Sequence, residues 1–149
     1  MGTLTTKIKE EVTLNGKLYG NEITKTHADI TRVKQTTVQV RASGNDDLFD
    51  FANATYSIGT VAFNKAKYIR ITNLDASETL FLNVYLDPAT AADQYILFQV
   101  PPKRSWILNE DSMDGTGSAT TTLEQIDAIK AQCSGAGSIQ VEIFVGEIA

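Results

Sequence analysis

"KYIRITNLDASETLFLNVYLD", residues 67–87, is the stretch on which the reading of the chain turns. Ile69 and Ile71 alternate with Tyr68, Arg70 and Thr72, the period of two that a β-strand imposes. After "NLDASE", which is rich in turn-forming residues, Leu80, Leu82, Val84 and Leu86 form a second apolar row. Phe81, Asn83 and Tyr85 lie opposite that row. The stretch therefore reads as a hairpin. One apolar row builds a core, and Tyr68, Arg70, Phe81 and Tyr85 are candidates for a second face, aromatic enough to be an interface.

The same pattern recurs on either side. "QYILFQVPPKRSWILNE" (residues 94–110) repeats the plan, with Pro101-Pro102 ending its first strand because neither proline can donate to a ladder. Val38, Val40 and Ala42 share one face of a strand, with Thr37, Gln39 and Arg41 on the other. Near the end, Ile139, Val141, Ile143 and Val145 face in while Gln140, Glu142 and Phe144 face away. In "KIKEEVTLNGKLYG" (7–20) an Asn15-Gly16 pair marks a tight hairpin, preceded by a Thr-rich stretch that reads as an extended arm. "GNDDLFD" (44–50) reads as loop and partial strand, and "TVAFNK" (60–65) as a short strand. Thr121 and Glu124 fit a capping box. Leu123, Ile126, Ile129 and Cys133 then share a helical face up to Gly135.

These elements predict an all-β protein: an antiparallel β-sandwich, jelly-roll-like, with one short helix near the C-terminus and an extended N-terminal arm. Residues 1–20 would form the arm and first hairpin, and residues 21–149 a single β-sandwich domain.

Composition bounds the function. The chain has 149 residues, 42% apolar and 21% charged, with a net charge of −5. That is enough for one domain with a real core, and too acidic for a phosphate-neutralising groove, so nucleic acid is not expected as a partner. The charge is uneven: residues 1–41 carry seven basic and four acidic side chains, the remainder −8. Head and body could attract each other, within a chain or between copies. The lone cysteine, Cys133, permits no intrachain disulfide and fits a reducing compartment. No apolar run is long enough to span a bilayer, and the start lacks a signal-peptide core. The Gly2 and Thr6 of a loose myristoylation pattern are set aside.

Chemistry-bearing clusters are sparse. The lone histidine, His27, sits in the polar "TKTHADI" and reads as an exposed loop residue, with no nucleophile elbow beside it. One His and one Cys are too few for a structural zinc site, and "CSGAGSIQ" lacks the phosphate-loop lysine. Two acidic loops (Asp46, Asp47 and Asp50; Glu110, Asp111 and Asp114) offer carboxylates to calcium in a different order from an EF-hand, and are read as solvated. Asn53-Ala54-Thr55 is a chance glycosylation triplet. Trp106, Tyr68, Tyr85 and Tyr95 could build a sugar-stacking platform, though strand aromatics more often serve core or interface. No catalytic residue, metal or cofactor is expected.

Two stretches, "LTTKIKEEVTLNGKLYG" (4–20) and "KYIRITNLDASETLFLNVYL" (67–86), resemble small β-sandwich structural proteins of tailed bacteriophages. In these a Thr-rich alternating N-terminal segment precedes a compact β domain with a "Y-I-R-I-T-N-L-D" strand and turn. The resemblance covers roughly a quarter of the chain. It implies a virion component, above all a capsid decoration (cement) protein that binds the major capsid protein from outside, often as a trimer. Partners would be the major capsid protein or other virion proteins, with further copies of the chain; no membrane is implied. The expected location is the capsid surface of a virion assembled in the bacterial cytoplasm. Lys7, Ile8, Lys9, Val12 and Leu14 are the candidate contacts of the arm. A tail, adaptor or host-binding virion protein, or a carbohydrate-binding module, is the alternative.

Overall fold

The alternating rows become the inner faces of two sheets. A computed structural model describes residues 1–50, 66–87, 94–109 and 125–149, and among these the chain forms strands and no helix. In chain order they are β1 (Gly2–Lys9), β2 (Val12–Leu14), β3 (Lys17–Tyr19), β4 (Glu22–Ile30), β5 (Arg32–Arg41), β6 (Asp46–Asp50), β7 (Ala66–Asn73), β8 (Leu80–Asp87), β9 (Gln94–Val100), β10 (Ser105–Asn109), β11 (Gln125–Cys133) and β12 (Ser138–Glu147). One antiparallel sheet has the order β10-β7-β12-β5 and the other β6-β11-β8-β9. Ile69, Ile71, Val141, Ile143 and Val145 of the first share one buried cluster with Leu80, Leu82, Val84, Ile129 and Ala131 of the second. Stripping water from these rows is the main stabilising term.

The opening stretch is not a hairpin. β7 pairs with β10 and β12, whereas β8 pairs with β11 and β9, so residues 74–79 carry the chain from one sheet to the other. The connections 42–45, 101–104 and 134–137 make the same kind of crossing. All four lie at one end, tied by backbone bonds from Asn73 N–H to Arg104 O, Leu74 N–H to Gln140 O, Ala42 N–H to Gly137 O and Ser134 N–H to Thr79 O. Fully buried Asn73 anchors this end. Its amide donates to Glu78 O at 2.8 Å and Val100 O at 3.0 Å, while its Oδ1 accepts from Asp75 N–H. Asp75 Oδ1 accepts in turn from the N–H groups of Ser77 and Glu78, which holds its carboxyl below the usual range. The ammonium of Lys103 donates to Leu74 O.

The expected C-terminal helix is a strand. Thr121, Glu124 and Leu123 lie outside the described residues, but Ile126, Ile129 and Cys133 belong to β11. The reason is a β-bulge: Ile126 faces Leu86 and Ala128 faces Tyr85, so one extra residue intervenes. An inserted residue converts a strand spacing of two into three, which in "IDAIKAQC" imitates the i, i+3 rhythm of a helix. Beyond the bulge Ile129, Ala131 and Cys133 are buried at strict alternation. "GNDDLFD" likewise contributes a true edge strand, β6, whereas "TVAFNK", Asn53-Ala54-Thr55 and the Glu110–Asp114 loop lie outside the described residues.

The expected arm is half of a longer ribbon. β1 pairs with β4 and β2 with β3 in a single register, from Leu4 opposite His27 to Leu14 opposite Lys17. Asn15 and Gly16, at φ 52° and 74°, form the turn at its tip, the positive pair a two-residue hairpin turn requires. Gly20, at φ 146°, sits where a Cβ would run into the carbonyl of Glu10. Two residues of β4, Ala28 and Asp29, oppose Thr3 at the base, with Asp29 at φ 61°. This bulge lies where the ribbon joins the body.

Candidate protein-interaction surfaces

Three outward surfaces carry the sequence-predicted residues, and they do not converge. The first is the ribbon. A period of two splits it into two faces. Leu4, Thr6, Ile8, Val12 and Leu14 with His27, Lys25, Ile23, Tyr19 and Lys17 form one; Thr5, Lys7, Lys9, Glu11 and Thr13 with Thr26, Thr24, Glu22 and Leu18 form the other. At the base the first face packs on the body. His27 is 1% exposed with its ring 5.9 Å from that of Tyr68, and a Cβ on Gly146 would lie 3.4 Å from Leu4 and 3.5 Å from Ile30. His27 is thus a buried strand residue, contrary to the loop expected: its "TKTHADI" context is polar, but one side of that strand is covered.

Farther out the cover stops. Ile8, Val12, Leu14, Tyr19 and Ile23 continue the same face, and each is 50–61% exposed. Lys7 and Lys9 take the polar face, where they pair with Glu22 and Glu11. The candidate contacts of the arm therefore separate: Ile8, Val12 and Leu14 share the apolar face, and the two lysines do not. Tyr19 and Ile23 escaped the sequence reading. They were reachable from Asn15-Gly16 alone, because extending that hairpin's register outward places them opposite Val12 and Ile8.

The second surface is the outer face of the β10-β7-β12-β5 sheet. Tyr68, expected to be exposed there, is buried beneath the ribbon, and burial pushes its phenol pKa up. Its ring meets Phe144 edge-on at 6.0 Å. Arg70 lies over the Phe144 ring at 5.4 Å and donates to Glu142 at 2.6 Å. Glu142 also accepts from the Gln35 amide, and these two donors hold its carboxyl below the usual range. Arg70 is already engaged by its own sheet.

The third surface is the outer face of the β6-β11-β8-β9 sheet, on which Phe81 and Tyr85 sit. Because residues 74–79 cross between sheets, these two and the Tyr68–Arg70 pair lie on opposite sides of the molecule. The rings of Tyr85 and Tyr95 meet at 5.3 Å, tilted by 36°, and the ammonium of Lys130 lies over the Tyr85 ring at 5.1 Å. Tyr95 and Leu97, from edge strand β9, are 56% and 51% exposed. Trp106 is not part of any platform; it packs on Phe98 at 5.4 Å against the shared core.

The basic bias of residues 1–41 is largely spent inside the chain. Arg32 and Lys34 both reach the buried carboxylate of Glu147, at 3.5 and 3.4 Å. Arg41 grips Asp46 and holds its carboxyl below the usual range. Lys130 lies 3.5 Å from Asp47, so two carboxylates of the first acidic stretch have cationic partners. Among the described residues no group of three or more His, Cys, Asp or Glu side chains is placed to share a metal ion, nor is any helix long and apolar enough to cross a membrane. Compared with models of protein families and with curated proteins, the chain matches none.

Proposed function

We propose that the chain is a non-enzymatic structural protein of a virion, a jelly-roll β-sandwich of the capsid decoration type that binds and stabilises the major capsid protein lattice. The single observation that carries this reading is the ribbon, a strand pair that continues an apolar face past the body it packs on. An isolated two-stranded hairpin is marginal in water, and an antiparallel sheet with one apolar face normally buries it. A ribbon with that face open is a protein-binding arm. It reaches an adjacent subunit or the capsid lattice. The two sheet orders suit the eight-stranded jelly roll, an architecture of viral capsid and lectin domains, although fold alone does not assign function.

The test exploits the register. Lys9 faces Glu22, so replacing residues 10–21 with Asn-Gly shortens the ribbon without altering its base. The trimmed chain should unfold within about 0.5 kcal/mol of the parent yet no longer co-sediment with shells of the cognate major capsid protein. Equal co-sedimentation of the two chains refutes the arm. A carbohydrate-binding reading draws on the Tyr85–Tyr95 ring pair; glycan binding by the parent, lost in Tyr95→Ala, would replace the capsid reading.

A further inference from the structure

The turn at the tip of the ribbon carries a reactive pair. We propose that Asn15-Gly16 is a self-modification site, at which Asn15 converts with time to aspartate and isoaspartate and the ribbon tip comes apart. The chemistry does not depend on what the ribbon binds.

Asparagine is among the thermolabile residues, because its side-chain carbon Cγ lies within reach of the next backbone nitrogen. When that nitrogen gives its proton to a solvent base, it attacks Cγ. The N–Cγ bond forms, the Cγ–Nδ2 bond breaks, and Nδ2 takes up a proton and leaves as ammonia. Water then opens the cyclic imide at either carbonyl. Opening at Cγ gives aspartate. Opening at the main-chain carbon leaves the chain running through Cγ, which is isoaspartate. Overall, water is consumed and ammonia released, and nothing is oxidised or reduced.

The structure selects Asn15 for this reaction. Gly16 has no Cβ to shield its nitrogen, and a Cβ built there would meet no atom within 4 Å. Both residues are exposed. The closed turn holds them at φ 52° and 74°, so attack proceeds through tips that have frayed. Fraying is easy here. Three pairs close the tip, Val12 with Tyr19, Thr13 with Leu18 and Leu14 with Lys17, and a two-stranded ribbon is marginal by itself. Two buried asparagines are the contrast. Asn73 is fully buried, its amide donates to Glu78 O and Val100 O, and Leu74 follows it. Asn83 is 9% exposed, and its amide donates to Asn45 Oδ1.

The two products differ in what they do to the ribbon. Aspartate keeps the main-chain path and adds a charge. Isoaspartate carries the Cβ methylene into the main chain, and a two-residue turn has a fixed geometry that this extra atom breaks. The pair Leu14 with Lys17 is unseated first, and Val12, Leu14 and Tyr19 lose their common face.

The experiment ages the full chain at neutral and at mildly alkaline pH and cuts it with trypsin, which releases residues 10–17 as "EEVTLNGK". Mass spectrometry should find this peptide heavier by the exchange of –NH2 for –OH, in two chromatographic peaks, and sooner at the higher pH. Conversion at Asn15 should run at least roughly tenfold ahead of conversion at Asn73, whose segment opens only with the core. Asn15→Gln, whose longer side chain closes the ring poorly, should stay unchanged over the same period. The purified isoaspartyl chain should exchange the amides of residues 12–19 faster while those of the two sheets hold, and fresh Asn15→Asp should exchange like the parent. Asn15 left intact after a synthetic "EEVTLNGK" peptide has fully converted, or converting no faster than Asn73, overturns the proposed site. Unchanged exchange at residues 12–19 in the isoaspartyl chain overturns the loss of the tip.

Discussion

Two turns of this chain look alike in sequence and do opposite things. Asn15-Gly16 and "NLDASE" each separate two alternating strands, yet the first folds its strands side by side and the second sends them into different sheets. A two-residue turn with both φ positive leaves the chain no room to do anything but pair with itself. Six residues can cross the roughly 10 Å between packed sheets, provided the polar groups left behind find partners. Asn73 and Asp75 provide those partners. Local geometry decides the first turn; burial decides the second.

The difference predicts how each region responds to mutation. The largest contrast is between two isoleucines at strand positions, Ile71 with no exposed surface and Ile8 more than half exposed. Ile71→Ala should cost about 3–4 kcal/mol through lost burial and a cavity, and Ile8→Ala should stay within about 0.5 kcal/mol. Urea denaturation measures both, and similar losses would mean the ribbon face is covered. Next, Asn73→Ala strips partners from two carbonyls and one N–H at the crossing end, so we expect about 2–4 kcal/mol of destabilisation. An unchanged midpoint would show that the crossing needs no keystone.

A smaller effect belongs to the tight turn. Gly16→Val forces a β-branched residue to φ 74°, at a cost of about 1–2 kcal/mol. That loss should appear as faster amide exchange across Glu10–Asn21 while the unfolding midpoint of the sheets holds. The smallest effect is acid sensitivity. Asp46 and Glu142 have carboxyls held below their unfolded values. Between the two values the unfolded chain binds more protons, so their contribution is present above the unfolded pKa and is lost as pH falls through the folded one. Asp46→Asn or Glu142→Gln should each flatten the acid limb of stability against pH by a few tenths of a kcal/mol, given how exposed Arg41 is and the partly exposed Arg70–Glu142 pair.

What was legible follows the reach of each signal. Rows such as Ile139, Val141, Ile143 and Val145 could be read because a strand's two faces are written in consecutive residues. The β11 strand was misread because a single inserted residue near Asp127 imitates helical spacing. Ile8, Val12 and Leu14 were found as arm residues, but their partners Ile23 and Tyr19 were not. Ile23 lies on β4, which continues into "TKTHAD", where no apolar row announces it. Phe81 and Tyr85 keep the row that alternation gives them, but they lie across the molecule from Tyr68 and Arg70 because the consecutive strands β7 and β8 join different sheets.

The sequence by itself determines which side chains stand together on each strand, where the tight turn falls, and that one side of residues 4–14 is apolar. Alternation and positive φ are properties of adjacent residues, so no distant contact is needed to specify them. Which sheet each strand joins, that His27 and Tyr68 cover each other, and that the apolar face of the ribbon stays exposed beyond its base were decided only by the tertiary structure. Those outcomes depend on filling one core from both sides, and the strands that meet there, such as β5 and β12, are about a hundred residues apart.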